Sequence, residues 1–279
     1  MKKLIVIKSS IVALAFALMV MTGCHQVNNT TPLALVGLHF HTFIDTNLVD
    51  PVLYSTQYFP DSLGRSEVLT TAQFYLTSLS FRNKSNQQWY TIPNSIILKR
   101  EQNELYPVGN IPAATYDAIA FTVGLGNNLN YQDPSYYTGN SSLPSADSVL
   151  STTEQAVMWL SNMSGMTGMA SGYTFMNVQG YDSTDHTPFS YQIGGFGDTV
   201  RIILPYAAGF TIAPNEPSTL QPIHVIADYG KLLQFIHLNT ASNGCFYSTT
   251  PANITNAANA WNYIIRMFRY ECPTPNGSC

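Results

Sequence analysis

The sequence predicts an all-β protein, an antiparallel β-sandwich with one C-terminal amphipathic helix. Short segments in which apolar and polar residues alternate recur between residues 33 and 227, as expected of half-buried strands. The chain is also rich in Tyr (17) and Phe (14), which favour strands. One strongly helical window, near the C-terminus, is too few for an alternating α/β fold.

The first predicted strand, Leu33–Phe43, alternates clearly along its length. Leu38 and Phe40 lie on one face, and His39 and His41 lie on the other. The same reasoning predicts further strands in these segments: 68–81, 88–92, 95–99, 118–123, 173–179, 189–193, 199–204 and 223–227. A turn is predicted at residues 83–86, between the first two of them.

The predicted helix covers residues 252–270. Its apolar residues follow the i, i+3, i+4, i+7 spacing of an amphipathic helix, at Ile254, Ala257, Ala258, Trp261, Ile264, Ile265 and Phe268. Arg266 and Arg269 fall in its last turns, where cations stabilise the helix dipole. We expect the apolar stripe to pack on the sheet rather than in a membrane.

The N-terminal residues have the pattern of a bacterial lipoprotein signal peptide. Lysines at positions 2, 3 and 8 precede the apolar run 11–20, which is too short to span a bilayer, and Gly23 then precedes Cys24. The pattern predicts a signal peptide at 1–23, with Cys24 as the lipidation site. Ordinary secretion, with Cys24 as a spare thiol, is the alternative.

A lipid-modified Cys24 would hold the protein at a membrane, because two or more acyl chains give stable anchoring. The polar residues that follow predict a lipidated tether at 24–32, and the remaining residues, 33–279, predict one β-sandwich domain. The predicted location is the cell envelope, at the outer membrane facing the periplasm or at the cell surface. In that oxidising setting a disulfide is plausible, either Cys245–Cys272 or Cys272–Cys279.

Charge and motifs exclude several classes of function. The net charge is −4, only 10% of residues are charged and there is no basic stripe, so a nucleic-acid partner is not expected. The sequence has no phosphate-binding glycine loop, nucleophile elbow or HExxH motif, so we do not expect an enzyme.

Histidines supply the candidate metal ligands. His39 and His41, two residues apart on one strand face, have the spacing to chelate one ion, and imidazole suits copper or zinc. The alternative is a pair of ordinary sheet histidines. His224 and His237 lie in separate strand-like runs and are interpreted as structural. A methionine-rich segment at 158–169 has soft ligands for Cu(I), although loop flexibility explains it equally well.

An ordered set of short motifs resembles the MbnP-like copper-binding proteins, which are envelope β-sandwiches that include lipoproteins of Bacteroidota. The similarity spans roughly residues 33–270 and depends on these segments: Phe40-His41, Tyr75-Leu76-Thr77-Ser78-Leu79, Ile111-Pro112-Ala113-Ala114-Thr115-Tyr116, Phe121-Thr122-Val123-Gly124, Met158-Trp159, Ser171-Gly172-Tyr173, Val178-Gln179-Gly180, Phe189-Ser190-Tyr191-Gln192-Ile193-Gly194-Gly195 and Val225-Ile226-Ala227-Asp228.

The resemblance implies a histidine-based Cu(I) site and a tryptophan that a di-haem oxidase partner converts to kynurenine. His41 corresponds to the family's first-strand histidine and Trp159 to its tryptophan. Gln192 stands where the family usually has a histidine, and His39 is the expected substitute for that ligand.

The predicted function is therefore that of an envelope lipoprotein that binds copper through His41, His39 and the neighbourhood of Trp159. The alternative is a ligand-binding or adhesion β-sandwich with a degenerate metal site. In that case the loop at 124–146, rich in Tyr, Asn and Gly, and the Met/Gly segment would contact a glycan or a protein.

Overall fold

A computed structural model describes ten segments of the 279-residue chain. Apart from residues 31 and 32, all of them lie in one compact unit that spans Leu33–Cys279. They are residues 31–44, 52–61, 63–93, 95–101, 103–126, 159–160, 172–194, 199–214, 219–233 and 262–271. Among the helices in these parts, none is long and apolar enough to cross a membrane. Cys24 and the three later cysteines lie outside the described residues.

The first of two sheets has four strands in the order β13-β12-β1-β6. Their bounds are β1 Leu33–Phe43, β6 Leu105–Pro112, β12 Gln221–Asp228 and β13 Phe268–Tyr270. Strand β1 runs antiparallel to β6 but parallel to β12, and β13 is antiparallel to β12. The fold therefore contains one parallel pair that the alternating sequence pattern does not predict.

The second sheet has nine strands, and its central path is β10-β9-β3-β7-β11. Three short strands, β2, β4 and β5, pair with β3, and β8 pairs with β9, so all its pairings are antiparallel. The bounds are β2 Tyr58–Pro60, β3 Ser66–Asn83, β4 Trp89–Thr91, β5 Ile96–Lys99, β7 Ala114–Val123, β8 Trp159–Leu160, β9 Gly172–Asp182, β10 Pro188–Gly194 and β11 Val200–Ile212.

The core lies between the two sheets. Phe40 of β1 packs edge-on against Phe74 of β3, with ring centroids 5.9 Å apart. Phe268 of β13 lies 5.3 Å from Phe74 and 5.1 Å from Phe121 of β7. Burying each of these rings removes apolar surface from water and contributes about 1.5–3 kcal/mol. The contacts confirm the predicted sandwich.

Strand β3 changes its partner on one edge along its length because its backbone is irregular in the middle. Ser78 has φ = 56°, and the register against β7 shifts between Thr77 and Ser80. Up to Thr77 the strand pairs with β5, and from Ser80 it pairs with β4. The turn predicted after this strand is present: the Asn83 side-chain oxygen accepts a hydrogen bond from the Ser85 backbone amide at 2.9 Å, which stabilises the reversal.

The C-terminal prediction is only partly correct. Residues 262–267 are helical, with Ile264 and Met267 fully buried, whereas Phe268–Tyr270 form β13. The helix ends early because these three residues pair with β12 and Phe268 enters the core. The part of the prediction at 252–261 lies outside the described residues.

Several other described elements were not predicted as such from sequence, among them the short strands β2 and β8. Strand β6 contains Pro107 and Gly109, which interrupt the alternation and are unfavourable within strands. A short helix, α1, at Tyr229–Leu233, is only 5 residues long and directly follows β12.

Candidate metal centre

Three histidines meet on one face of the four-stranded sheet. His39 and His41 lie on β1, and His224 lies on the adjacent β12, directly opposite His39 in the register. The next residues along the two strands, Phe40 and Val225, are fully buried. Because side chains alternate between the two faces of a sheet, the histidines project from the face opposite the core.

The three imidazole rings are in mutual contact. His41 Nε2 lies 2.8 Å from His224 Nδ1, which is a hydrogen bond when one of the two nitrogens carries the proton. The ring centroid of His39 lies 4.4 Å from that of His41 and 4.9 Å from that of His224. One nitrogen from each ring falls within 4.8 Å of the others, the arrangement of a group that can hold a metal ion.

Two carboxylates flank the histidines. Glu271 Oε2 lies 3.2 Å from both His41 Nε2 and His224 Nδ1. Glu104 Oε2 lies 3.9 Å from His39 Nε2, while its other oxygen accepts a hydrogen bond from Thr42 Oγ1 at 3.2 Å. The cluster therefore offers oxygen as well as nitrogen donors.

Backbone hydrogen bonds hold both glutamates beside the sheet. The Glu271 amide donates to the His224 carbonyl at 3.2 Å, immediately after β13 ends. The Phe40 amide donates to the Glu104 carbonyl at 2.8 Å, just before β6 begins. Glu271 and Glu104 are thus positioned by the pairing of the strands that they adjoin.

The environment of His224 favours its neutral imidazole, the form that binds metals. Burial lowers the pKa of His224, the positive charges that His39 and His41 can carry lower it further, and Glu271 opposes the change. The side chain of His41 is 17% exposed, that of His39 29% and that of His224 39%. An ion can therefore reach the cluster from solvent.

The donor set fits copper or zinc. Metal–nitrogen bonds to imidazole are about 2 Å long, and His41 Nε2 and His224 Nδ1, 2.8 Å apart, can both lie at that distance from one ion. Imidazole nitrogen suits both metals. A nitrogen of His39 lies within 4.8 Å of both.

The sequence-based candidates fall into two groups in the structure. His39 and His41 lie side by side, as their spacing suggested, and the structure adds His224, which the sequence analysis had interpreted as structural. His41 and His224 are separated by 183 residues, and their proximity depends on the parallel pairing of β1 with β12. Strand polarity and register are not readable from one alternating segment, so no local signal pointed to His224.

Trp159 and Gln192 belong by their backbone to the other sheet. Trp159 pairs with Tyr173 as part of β8, and Gln192 pairs with Asn177 as part of β10. The methionines at 158–169 and residues 127–146 of the proposed binding loop lie outside the described residues.

Comparison with known proteins gives one family match. The family model described as MbnP matches residues 35–248. Among solved structures, "MbnP from Methylosinus trichosporium" matches with 14% sequence identity and a TM-score of 0.46, covering 77% of this chain and 82% of that one. A search of curated protein sequences found no significant match.

Proposed function

Because the chain belongs to the MbnP family, we propose that it binds a copper ion through His39, His41 and His224. The observation that carries the proposal is the contact of three imidazoles, with His41 Nε2 and His224 Nδ1 2.8 Å apart. The family resemblance supports copper as the metal, and imidazole is a suitable ligand for it.

The proposed activity is metal binding by a rigid site. Two paired strands fix the spacing of the three rings, so little side-chain freedom is lost when an ion enters. Copper, when bound, supplies a redox-active centre. The protein's own contribution is to hold three imidazoles at the sheet surface and to place two carboxylates beside them.

The proposal also includes the cellular setting that the sequence implies. Cys24 would carry the lipid that anchors the protein in the cell envelope. By family resemblance, a di-haem oxidase partner would oxidise Trp159. Mass spectrometry of protein purified from its native membrane tests both parts, through acylation at Cys24 and conversion of Trp159 to kynurenine.

Copper titration tests the proposed site. We expect the purified protein to bind one copper ion, and we expect His41→Ala and His224→Ala each to weaken binding by about tenfold or more, since each removes a ligand. His186→Asn is the matched control, because it removes an imidazole from a turn with φ = 60°, a conformation that asparagine tolerates. Unchanged copper affinity in both alanine variants would refute the proposed site.

A further inference from the structure

We propose that Glu271 is the fourth ligand of this centre and that the centre therefore takes copper in its divalent state. The inference rests on the proposed function and specifies the ion more narrowly. It departs from the Cu(I) that the family resemblance implies. The proposal is based on the position of the Glu271 carboxylate oxygen close to the imidazole nitrogens of His41 and His224.

The three donor atoms form a compact triangle. Glu271 Oε2 is 3.2 Å from His41 Nε2 and 3.2 Å from His224 Nδ1, and these nitrogens are 2.8 Å apart. A circle through the three atoms has a radius of about 1.8 Å. One ion can therefore lie about 2 Å from all three, the usual length of a bond from a metal to nitrogen or oxygen.

The chemistry of the oxygen selects the oxidation state. A carboxylate is a hard ligand, whereas Cu(I) prefers soft sulfur ligands, and Cu(II) accepts mixed nitrogen and oxygen ligands in a tetragonal arrangement. The His41 and His224 nitrogens together with the Glu271 oxygen supply that mixed set. The same set also accepts Zn(II), but for equal ligands Cu(II) binds more tightly.

Charge supports the same choice. Glu271 and Glu104 place two negative charges beside three imidazoles, and Glu271 is only 33% exposed. A divalent ion brings two positive charges to these carboxylates, whereas a monovalent ion brings one. The Glu271 backbone is also held in place before any metal binds, because its amide donates a hydrogen bond to the His224 carbonyl.

The test measures Cu(II) and Cu(I) affinities separately, by competition with a chelator for each ion, on the purified protein and on Glu271→Gln. We expect the substitution to lower the affinity for Cu(II) by about tenfold or more and to change the affinity for Cu(I) by no more than about twofold. Asp185→Asn is the matched control, since this exposed turn residue also loses a carboxylate while retaining its hydrogen-bonding oxygen. Circular dichroism verifies that both variants are folded.

Electron paramagnetic resonance of the Cu(II) form provides a second measurement, because loss of an oxygen ligand changes the spectrum. Unaltered Cu(II) affinity and spectrum in Glu271→Gln, or an equal loss for both ions, would overturn the inference while leaving the histidine site standing. Failure of the unmodified protein to bind either ion would instead refute the proposed function.

Discussion

His224 lies close to two ionisable groups, since its Nδ1 is near both His41 and Glu271. A buried acidic residue in the other sheet also has a shifted pKa. Glu67 of β3 has no exposed surface and pairs in register with Asp182 of β9. Burial, followed by the charge of Asp182, raises the pKa of Glu67 to about 7. At the scale of single residues, the fold thus holds one carboxyl group in its protonated form at mildly acidic pH.

This raised pKa makes stability depend on pH in a defined direction. Between pH 4.5 and about 7 the unfolded chain releases the Glu67 proton, whereas the folded protein retains it, so the free energy of unfolding falls as pH rises. We expect the fall to be of the order of 1–3 kcal/mol and to be absent in Glu67→Gln. Urea unfolding at pH 5 and pH 8 measures the difference. Identical pH dependence in the two proteins would contradict the assignment.

At the scale of elements, the close packing of β9 between β3 and β10 depends on a glycine. A Cβ atom added at Gly180 would lie 2.1 Å from the Val68 carbonyl oxygen and 2.4 Å from the Phe189 ring, both shorter than any tolerated contact. The neighbours include backbone, which cannot move aside as a flexible side chain can. Gly180 therefore sets how closely these three strands approach.

We expect Gly180→Ala to lower the free energy of unfolding by about 1–3 kcal/mol or more, because overpacking forces the strands apart. Gly126→Ala is the matched control, since nothing lies within 4 Å of a Cβ atom there. Chemical denaturation of both variants gives the comparison. Equal stability of the two would show that β9 moves without strain.

At the scale of the whole molecule, Phe268 links the core to the histidine cluster. Its ring contacts Phe74 and Phe121 of the opposite sheet, and Glu271 follows three residues later beside the histidines. The same short strand thus joins the two sheets and positions a candidate ligand.

We expect Phe268→Ala to destabilise the protein by about 3–5 kcal/mol, the usual effect of removing a buried aromatic side chain. Ile265→Ala is the control from the same segment, because that side chain is 57% exposed and alanine suits a helix. Thermal unfolding of the two variants distinguishes them. A loss of similar size in both would mean that Phe268 contributes little to the core.

The features that could be predicted from the sequence are those that local interactions determine. The first strand was predicted with its observed bounds, because Leu33–Phe43 alternates without interruption. The helix prediction extended too far, because the pairing of Phe268–Tyr270 with β12 overrides a local helical spacing. His39 and His41 were found from their two-residue spacing alone. His224 and Glu271 were not, since their positions depend on contacts between segments distant in sequence.

The parallel pairing of β1 with β12 has a consequence for the order of folding. His41 and His224 are 183 residues apart, so the cluster does not exist in a nascent chain that ends before β12. Contacts of such long sequence separation form late, after the entropy of closing a large loop has been overcome. An ion that binds as proposed would therefore not template the early stages of folding through this cluster. It would bind only the completed fold, and it would shift the equilibrium away from unfolded chains as its free concentration rises.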